Sequence, residues 1–265
     1  MSTQQPLKIE RGAQGVARVV MSRPEVHNAF DEALIAALTQ AMRDLDADDS
    51  VRVIVLAGEG KSFSAGADLN WMQRQAAAPL EANLEDARRL AELFRTIATC
   101  GKPTIARVHG AALGGGMGLA SACDICVAST AAVFATSEVK FGIIPSAISP
   151  YVIRAIGQRQ ATRYFQTAER IGARRAWELG LVHELAEGDA LDAALEQVVQ
   201  ALLAGGPKAQ AAAKELIRAV ADRPIGAEVI EDTARRIATL RATPEAREGL
   251  SAFLEKRPAA WIREQ

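Results

Sequence analysis

Two short turns carry the residue types from which this sequence could build a reaction site. Glycines crowd the turn at 113–116 (LGGG), and a second turn, 63–69 (FSAGADL), contains Gly66 and Asp68. A glycine inside a helix costs about 0.5–1 kcal/mol relative to alanine, so the cluster indicates a backbone that bends tightly or lies close to another group. The first N–H groups of a helix have no partner within it, so two such turns side by side could bind one carbonyl oxygen. The predicted chemistry is an oxyanion hole made of backbone amides.

Glu138 is the candidate acid/base group. It lies in the largely apolar segment VFATSEVKFGIIP. A carboxyl group in apolar surroundings tends to have a raised pKa and can exchange a proton near neutral pH. The alternative interpretation of the same segment is a solvated loop glutamate.

Both turns follow predicted strands and begin predicted helices. Short apolar runs predict strands at 16–22, 51–58, 103–110 and 124–129. Apolar residues at three- and four-residue steps predict helices at 31–47, 83–100 and 113–123, and after residue 145 the pattern is almost continuous helix. The carboxyl ends of parallel strands share one edge of a sheet, where ligands bind, so the two turns are predicted to lie close together in an α/β fold.

Composition limits the classes of partner. The chain has 265 residues, 49% of them hydrophobic, and a formal net charge of -1, which predicts one large domain, or one domain with an appendage, and no nucleic-acid partner. The first residues, MSTQQPLKIERG, lack the apolar segment of a signal peptide, and no uncharged run is long enough for a membrane span, so we expect a cytoplasmic protein with no membrane partner. The three cysteines are interpreted as fillers of small gaps in the core.

Other chemical motifs fail on spacing. The segment 58–62 (GEGKS) resembles a phosphate-binding loop but has Val55 where that motif needs glycine. No G-x-G-x-x-G and no G-x-S-x-G is present, and the three histidines lack the spacing of a metal pair. We therefore expect no metal and no dinucleotide cofactor.

The surviving features resemble the crotonase (enoyl-CoA hydratase/isomerase) superfamily over about residues 7–258. The matching segments are MSRPEVHNAF, GKSFSAGADL, KPTIARVHGAALGGGMGLASACDI, SEVKFGIIP, AWELGLV and EGLSAFLEKRPAAW. The resemblance implies a crotonase-like spiral of ββα units at 1–188 and a helical C-terminal trimerisation region at 189–265. It also implies a homotrimer, or a hexamer formed as a dimer of trimers.

The resemblance assigns roles to individual residues. The backbone N–H groups of Ala65 and Gly115 would grip the oxygen of an acyl-CoA thioester, and Glu138 would act as the acid/base. Coenzyme A would be part of the substrate, with no separate cofactor. The residues implied in substrate binding are Arg23, His27, Ala65, Gly66, Ala67, Asp68, Leu69, Gly114, Gly115, Lys140, Phe253 and Lys256, the last two from the C-terminal helix of the same or a neighbouring subunit.

Gly118 departs from the pattern of the family's two-glutamate hydratases. Those enzymes resemble this chain but have a glutamate three residues after the oxyanion glycine and another twenty residues further on, whereas this chain has Gly118 and Glu138. One glutamate at the second position also suits a Δ3-Δ2 enoyl-CoA isomerase. In a hydratase with this single glutamate, the attacking water would be held partly by the backbone, by Ser146 or Ser149, or by a distal carboxylate of the substrate that Lys140 orients.

The acyl group is indicated by a finer resemblance. Segments such as FSAGADLNWMQ and SEVKFGIIPSAISPYVIRAIG are similar to those of short bacterial 3-methylglutaconyl-CoA and γ-carboxygeranoyl-CoA hydratases. The favoured function is hydration of a branched, carboxylated enoyl-CoA. The alternatives are the Δ3-Δ2 isomerase and a non-catalytic scaffold that binds acyl-CoA or RNA.

Overall fold

Short strands alternate with helices through most of the chain. The computed structural model describes residues 5–262. Its strands are β1 (Leu7–Arg11), β2 (Val16–Met21), β3 (Val53–Gly58), β4 (Ser62–Ser64), β5 (Thr104–Val108), β6 (Ala111–Leu113), β7 (Ile125–Ser129), β8 (Val133–Ala135), β9 (Ile171–Gly172) and β10 (Glu184–Ala186). Its helices are α1 (Glu32–Ala47), α2 (Leu69–Ala77), α3 (Leu80–Thr99), α4 (Gly115–Ala122), α5 (Ser149–Ile156), α6 (Gln158–Thr167), α7 (Ala173–Glu178), α8 (Leu191–Ala204), α9 (Pro207–Val220), α10 (Ala227–Arg241) and α11 (Pro244–Leu254).

Two sheets share the strands. The larger has the order β1-β2-β3-β5-β7-β10 and the smaller β4-β6-β8-β9, with parallel pairing except for β1/β2 and β8/β9. Along the chain, one strand enters the larger sheet, the next enters the smaller sheet, and a helix follows. The units β3-β4-α2, β5-β6-α4 and β7-β8-α5 have this order, which confirms the predicted ββα spiral and its α/β class.

Strand β3 shows why the central strands are apolar on both faces. Ile54 and Leu56 belong to the main core with the helices α1, α3 and α4, whereas Val53 and Val55 face a second core formed with α8. Successive side chains of a strand point to opposite faces, so a strand covered on both sides becomes a continuous apolar run. This is the origin of the segment VIVLAG.

The predicted elements differ from the observed ones mainly where strands are short. The four predicted strands and three predicted helices are present with bounds shifted by a few residues. The predicted continuous helix after residue 145 is wrong in detail, because β9 and β10 interrupt it. These strands have two and three residues, too few for an alternating pattern to stand out from a neighbouring helix.

In the C-terminal region, α9 is bound to the core, whereas α10 and α11 are largely exposed. Lys214 of α9 pairs with Asp124 at 2.6 Å and donates to the Lys102 carbonyl, which ties α9 to the larger sheet. Helix α10 has no buried residue, and α11 buries only Ala252. The division at 188/189 and the trimerisation role of this region stay predictions, and residues 1–4 and 263–265 of the two predicted regions lie outside the described residues. None of the helices within 5–262 is long and apolar enough to cross a membrane.

Candidate active site

The first predicted turn leads from β4 into α2. Gly66 has a φ of 89°, a left-handed conformation that favours glycine, and a Cβ there would lie 2.9 Å from the Leu113 carbonyl oxygen. The Asp68 carboxylate accepts hydrogen bonds from the N–H groups of Asn70 (2.9 Å) and Trp71 (3.1 Å), so it caps α2. The turn is therefore fixed by a close backbone contact at one end and by a helix cap at the other.

The structure corrects the predicted donor in this turn. The N–H of Ala65 donates to the His27 carbonyl oxygen at 2.9 Å, so it is not free for a ligand. The backbone of Phe30 bonds to the residues on either side of Ala67, at 2.7 and 2.8 Å. In this parallel bridge the N–H of Ala67 itself is left over, and no hydrogen bond within residues 5–262 uses it. Ala67 supplies the free donor that was predicted for Ala65.

The second turn presents the other free donor. Gly114 has a φ of 49° and donates its N–H to the Ala135 carbonyl at 2.8 Å. Gly115 begins α4, and its N–H has no partner among the described residues, as expected for the first residue of a helix. The positive end of the helix dipole lies at this N–H. The Gly115 N–H is thus available for a ligand, and its role as a donor to the thioester stays a prediction.

Packing within the protein explains two of the clustered glycines. A Cβ on Gly115 would lie 2.6 Å from Cε2 of Phe30, and a Cβ on Gly116 would lie 2.5 Å from the Ser64 carbonyl oxygen. The two turns also touch each other, since the Gly66 Cα would be 3.8 Å from a Cβ on Gly114. Side chains are excluded here by the protein's own contacts, a reason that the sequence does not reveal.

Glu138 lies beside the two turns. It begins a 3₁₀ turn, Glu138–Phe141, after β8, and its Oε1 would be 3.1 Å from a Cβ on Gly114. Its Oε2 is buried and has no hydrogen-bond partner within the described residues. Burial raises the pKa of the Glu138 carboxyl above the ordinary 4.5, and a hydrogen bond from its own backbone opposes the shift. The carboxyl group is desolvated, which the solvated-loop interpretation does not describe.

Asn28 organises the first turn, a role that was not predicted from the sequence. It is fully buried with a φ of 54°, and its carbonyl accepts a hydrogen bond from the Ser64 hydroxyl at 2.8 Å. Its side-chain amide donates to three backbone carbonyls, those of Glu59 (2.9 Å), Ser62 (2.9 Å) and Phe63 (3.2 Å). This one amide fixes β4 and the loop before it in place. The signal available in the sequence was a polar asparagine directly before the apolar residues Ala29 and Phe30.

Arg23 is engaged inside the protein. Its guanidinium pairs with Asp31 at 2.8 Å and Asp68 at 3.7 Å and donates to the Ala29 carbonyl, and the side chain is only 18% exposed. Two carboxylates already neutralise the charge of Arg23, which was predicted to bind substrate. His27, next to this cluster, is exposed, and its Nδ1 lies 3.1 Å from the Ser62 hydroxyl.

Some of the remaining predicted residues lie near the two turns or Glu138, and two residues of the C-terminal region do not. Leu69 and Lys140 are exposed beside the turns, and Lys140 takes part in no ion pair of the described residues. The Ser149 hydroxyl donates to the Ser146 carbonyl at 2.8 Å, so it is already engaged. Phe253 is 81% exposed at the end of α11, which packs on α9 and α10 rather than beside Glu138. The structure therefore does not bring Phe253 or the exposed Lys256 together with the rest of the site.

No three acidic, histidine or cysteine side chains within 5–262 are grouped to hold a metal ion.

Comparison with known proteins gives consistent matches over nearly the whole chain. The family model for enoyl-CoA hydratase/isomerase matches residues 11–264. The solved structure of an enoyl-CoA hydratase from Shewanella pealeana is 43% identical with a TM-score of 0.94, covering 98% of this chain and 97% of that one. The 2,3-dehydroadipyl-CoA hydratase of Escherichia coli is 36% identical over 92% of this chain and 94% of its own length. The crotonyl-CoA hydratase of Syntrophomonas wolfei is 33% identical over 93% and 94%.

Replacing the desolvated carboxyl group is expected to stabilise the protein in a pH-dependent way. With a folded-state pKa raised above 4.5, the folded chain holds the Glu138 proton more tightly than the unfolded chain does. Wild-type stability therefore falls as pH rises from 4.5 through the raised value, by about 1.4 kcal/mol for every pH unit between the unfolded and folded pKa. Glu138→Gln avoids this loss, so it should be more stable at neutral pH and equal to the wild type at low pH.

Urea unfolding from about pH 4 to about pH 8 measures this difference. Glu187→Gln, at an exposed position, is the matched control and should follow the wild type throughout. Parallel stability curves for Glu138→Gln and the wild type would contradict the expectation.

Proposed function

The chain belongs to the enoyl-CoA hydratase/isomerase family and is an enzyme of the hydro-lyase type, and on that premise we propose that it hydrates a branched, carboxylated 2-enoyl-CoA such as 3-methylglutaconyl-CoA. The observation that carries the proposal is the grouping of two free backbone N–H donors, those of Ala67 and Gly115, with the desolvated Glu138 carboxyl. Coenzyme A enters as part of the substrate.

The two donors would bind the thioester oxygen. Negative charge moves onto this oxygen when a nucleophile adds to the double bond, and fixed N–H groups stabilise that charge more than they stabilise the neutral thioester. The positive end of α4 adds to the effect, because Gly115 is its first residue. One such donor contributes about 2.7–4 kcal/mol in the transition state.

Glu138 would transfer the proton in both directions. Its carboxylate takes a proton from water while the water oxygen forms a bond to C3, and the electron pair of the C2–C3 double bond moves to give an enolate at the thioester oxygen. The enolate then reforms the carbonyl, and C2 takes the proton from the Glu138 carboxyl group. The net change is the addition of one water, with the carboxylate restored.

Two observations support an acyl group with its own carboxylate. Lys140 is an exposed cation two residues after Glu138, without an ion-pair partner among the described residues, and could bind a distal carboxylate. The E. coli relative is by name a hydratase of a dehydroadipyl thioester, which carries such a group. The single enzyme carboxylate, Glu138, would also serve a Δ3-Δ2 isomerase, which moves one proton between two carbons.

The coenzyme A part of the substrate is proposed to lie near His27, with help from Phe253 and Lys256 of a neighbouring subunit. The exposed positions of Phe253 and Lys256 and their distance in the fold from Glu138 are consistent with a role across a subunit interface. The proposed assembly is a homotrimer or a dimer of trimers.

The assembly itself is testable in solution. Large apolar side chains lie exposed on the last two helices, namely Ile230, Ile237, Leu250, Phe253 and Leu254. An interface that covers them would favour association, because exposed apolar patches of this kind mark contact surfaces. Sedimentation at micromolar concentration should show a trimer or hexamer, and a monomer would contradict the proposal.

A substrate comparison tests the proposed reaction. If a charge-assisted contact binds the distal carboxylate, kcat/KM for 3-methylglutaconyl-CoA should exceed that for crotonyl-CoA by about 10- to 100-fold. Glu138→Gln should still bind the thioester while kcat falls by about 10²–10⁴. Equal rates on the two substrates would remove the carboxylate proposal. Conversion of a 3-enoyl-CoA to the 2-enoyl-CoA without hydration would favour the isomerase.

The assignment of the donor to Ala67 has a separate test. Replacing the alanine by lactic acid turns the amide into an ester and removes the N–H while keeping the side chain. The ester at Ala67 should lower kcat by about 10²–10³. The matched ester at Ala65 removes the bond to His27 and should cost about 1 kcal/mol of stability without a comparable loss in kcat. A larger kcat loss at Ala65 than at Ala67 would reverse the assignment.

A further inference from the structure

Two glycines on one face of α4 have different neighbours. Gly114 and Gly118 are one helical turn apart, and the Gly118 N–H donates to the Gly114 carbonyl at 3.0 Å. The carboxyl group of Glu138 lies over Gly114. The space over Gly118 is occupied instead by hydrocarbon from another part of the chain.

Ile148 fills that space. A Cβ on Gly118 would overlap Cγ2 of Ile148 and would lie 2.9 Å from both the Ile148 Cβ and Cε1 of Phe94. Ile148 is 3% exposed and Phe94 is fully buried. A side chain of any size at position 118 is therefore excluded unless both Ile148 and Phe94 give way.

The backbone keeps Ile148 in this position. Ile148 immediately precedes α5, and its carbonyl accepts hydrogen bonds from the N–H groups of Tyr151 and Val152, each at 3.1 Å. The ring of Tyr151 lies 5.9 Å from that of Phe94. Phe94 and Ile148 both border Gly118. Since the start of α5 is fixed, the isoleucine side chain cannot move aside as a flexible surface chain would.

We propose that Ile148 is a positioning residue of the active site, which closes the space over Gly118 with hydrocarbon so that Glu138 acts without a second polar group on that side. The inference rests on the proposed function for its meaning in the reaction. It assigns to one residue a role that the glycine at 118 alone does not explain, because an open space there would admit water or another side chain.

The surroundings of Glu138 agree with this role. Burial is the first cause of its raised pKa, and no charged side chain contributes to the shift. Charged groups on the neighbouring elements are Lys140 on its own turn, Arg154 of α5, and Arg159 and Arg163 of α6, of which Arg163 is paired with Glu169. Burial, rather than a like charge, raises the pKa of the Glu138 carboxyl.

Ile148→Ala is the first test, with Ile156→Ala as its matched control. Both substitutions remove the same side-chain volume from a buried isoleucine of the α5 region, but Ile156 is at the far end of the helix. Both should lower the Tm. Only Ile148→Ala should admit water beside Glu138 and move the acid limb of the kcat/KM profile down, by about half a pH unit or more.

A double-mutant cycle tests the contact itself. Gly118→Ala alone should lower the Tm, because its Cβ overlaps Ile148. Ile148→Ala lowers the Tm in the wild-type background and should lower it less in the Gly118→Ala background, since it removes the closest overlap, that with Cγ2. Additive effects on the Tm would show that the two positions do not share one space.

The outcomes separate this inference from the proposed function. An acid limb in Ile148→Ala that equals those of the wild type and Ile156→Ala overturns the positioning role. If the wild type hydrates no enoyl-CoA, the proposed function fails, and the Glu138 carboxyl is then titrated directly by ¹³C NMR of glutamate-labelled protein, with Glu138→Gln assigning its signal. A lower Glu138 pKa in Ile148→Ala would still support the inference, and an unchanged one would overturn it.

Discussion

The close approach of two backbone turns is the constraint on which the rest of this structure depends. One residue serves both turns, because the backbone of Phe30 bonds on either side of Ala67 while its ring lies against Gly115. Small residues at 66 and 114–116 are the condition for this contact. The sheets bring the turns to one place, and the absence of side chains lets the two backbones touch.

Much of the framework follows from local patterns in the sequence. Runs such as VIVLAG are apolar because both faces of β3 are covered, and the glycine turns follow strands that end at one edge. The exact donor does not follow from local pattern. Gly66 turns the chain into a left-handed conformation between Ala65 and Ala67, and the partner that occupies the Ala65 N–H is His27, far away in the sequence. Contacts of this kind exist only once the fold is complete.

The candidate site contains groups that do not favour folding. An acidic oxygen of Glu138 is buried without a partner among residues 5–262, and left-handed backbone conformations occur at His27 and Asn28. The surrounding structure offsets these costs, with the Asn28 amide holding three carbonyls around β4. Polar groups kept unpaired at a rigid site are what a preorganised reaction centre requires.

The contacts around the two turns also set the order in which the site can arise during synthesis. Phe30 comes from the segment before α1, Ser64 from β4 and Gly115 from the start of α4, so each is translated in a different strand-strand-helix unit or before the first of them. A nascent chain that ends before α4 contains Ala67 but neither Gly115 nor the helix that presents it. The two-donor site can therefore form only after β5, β6 and the start of α4 have emerged from the ribosome. An intermediate that folds earlier lacks one of the two donors and cannot bind substrate through both.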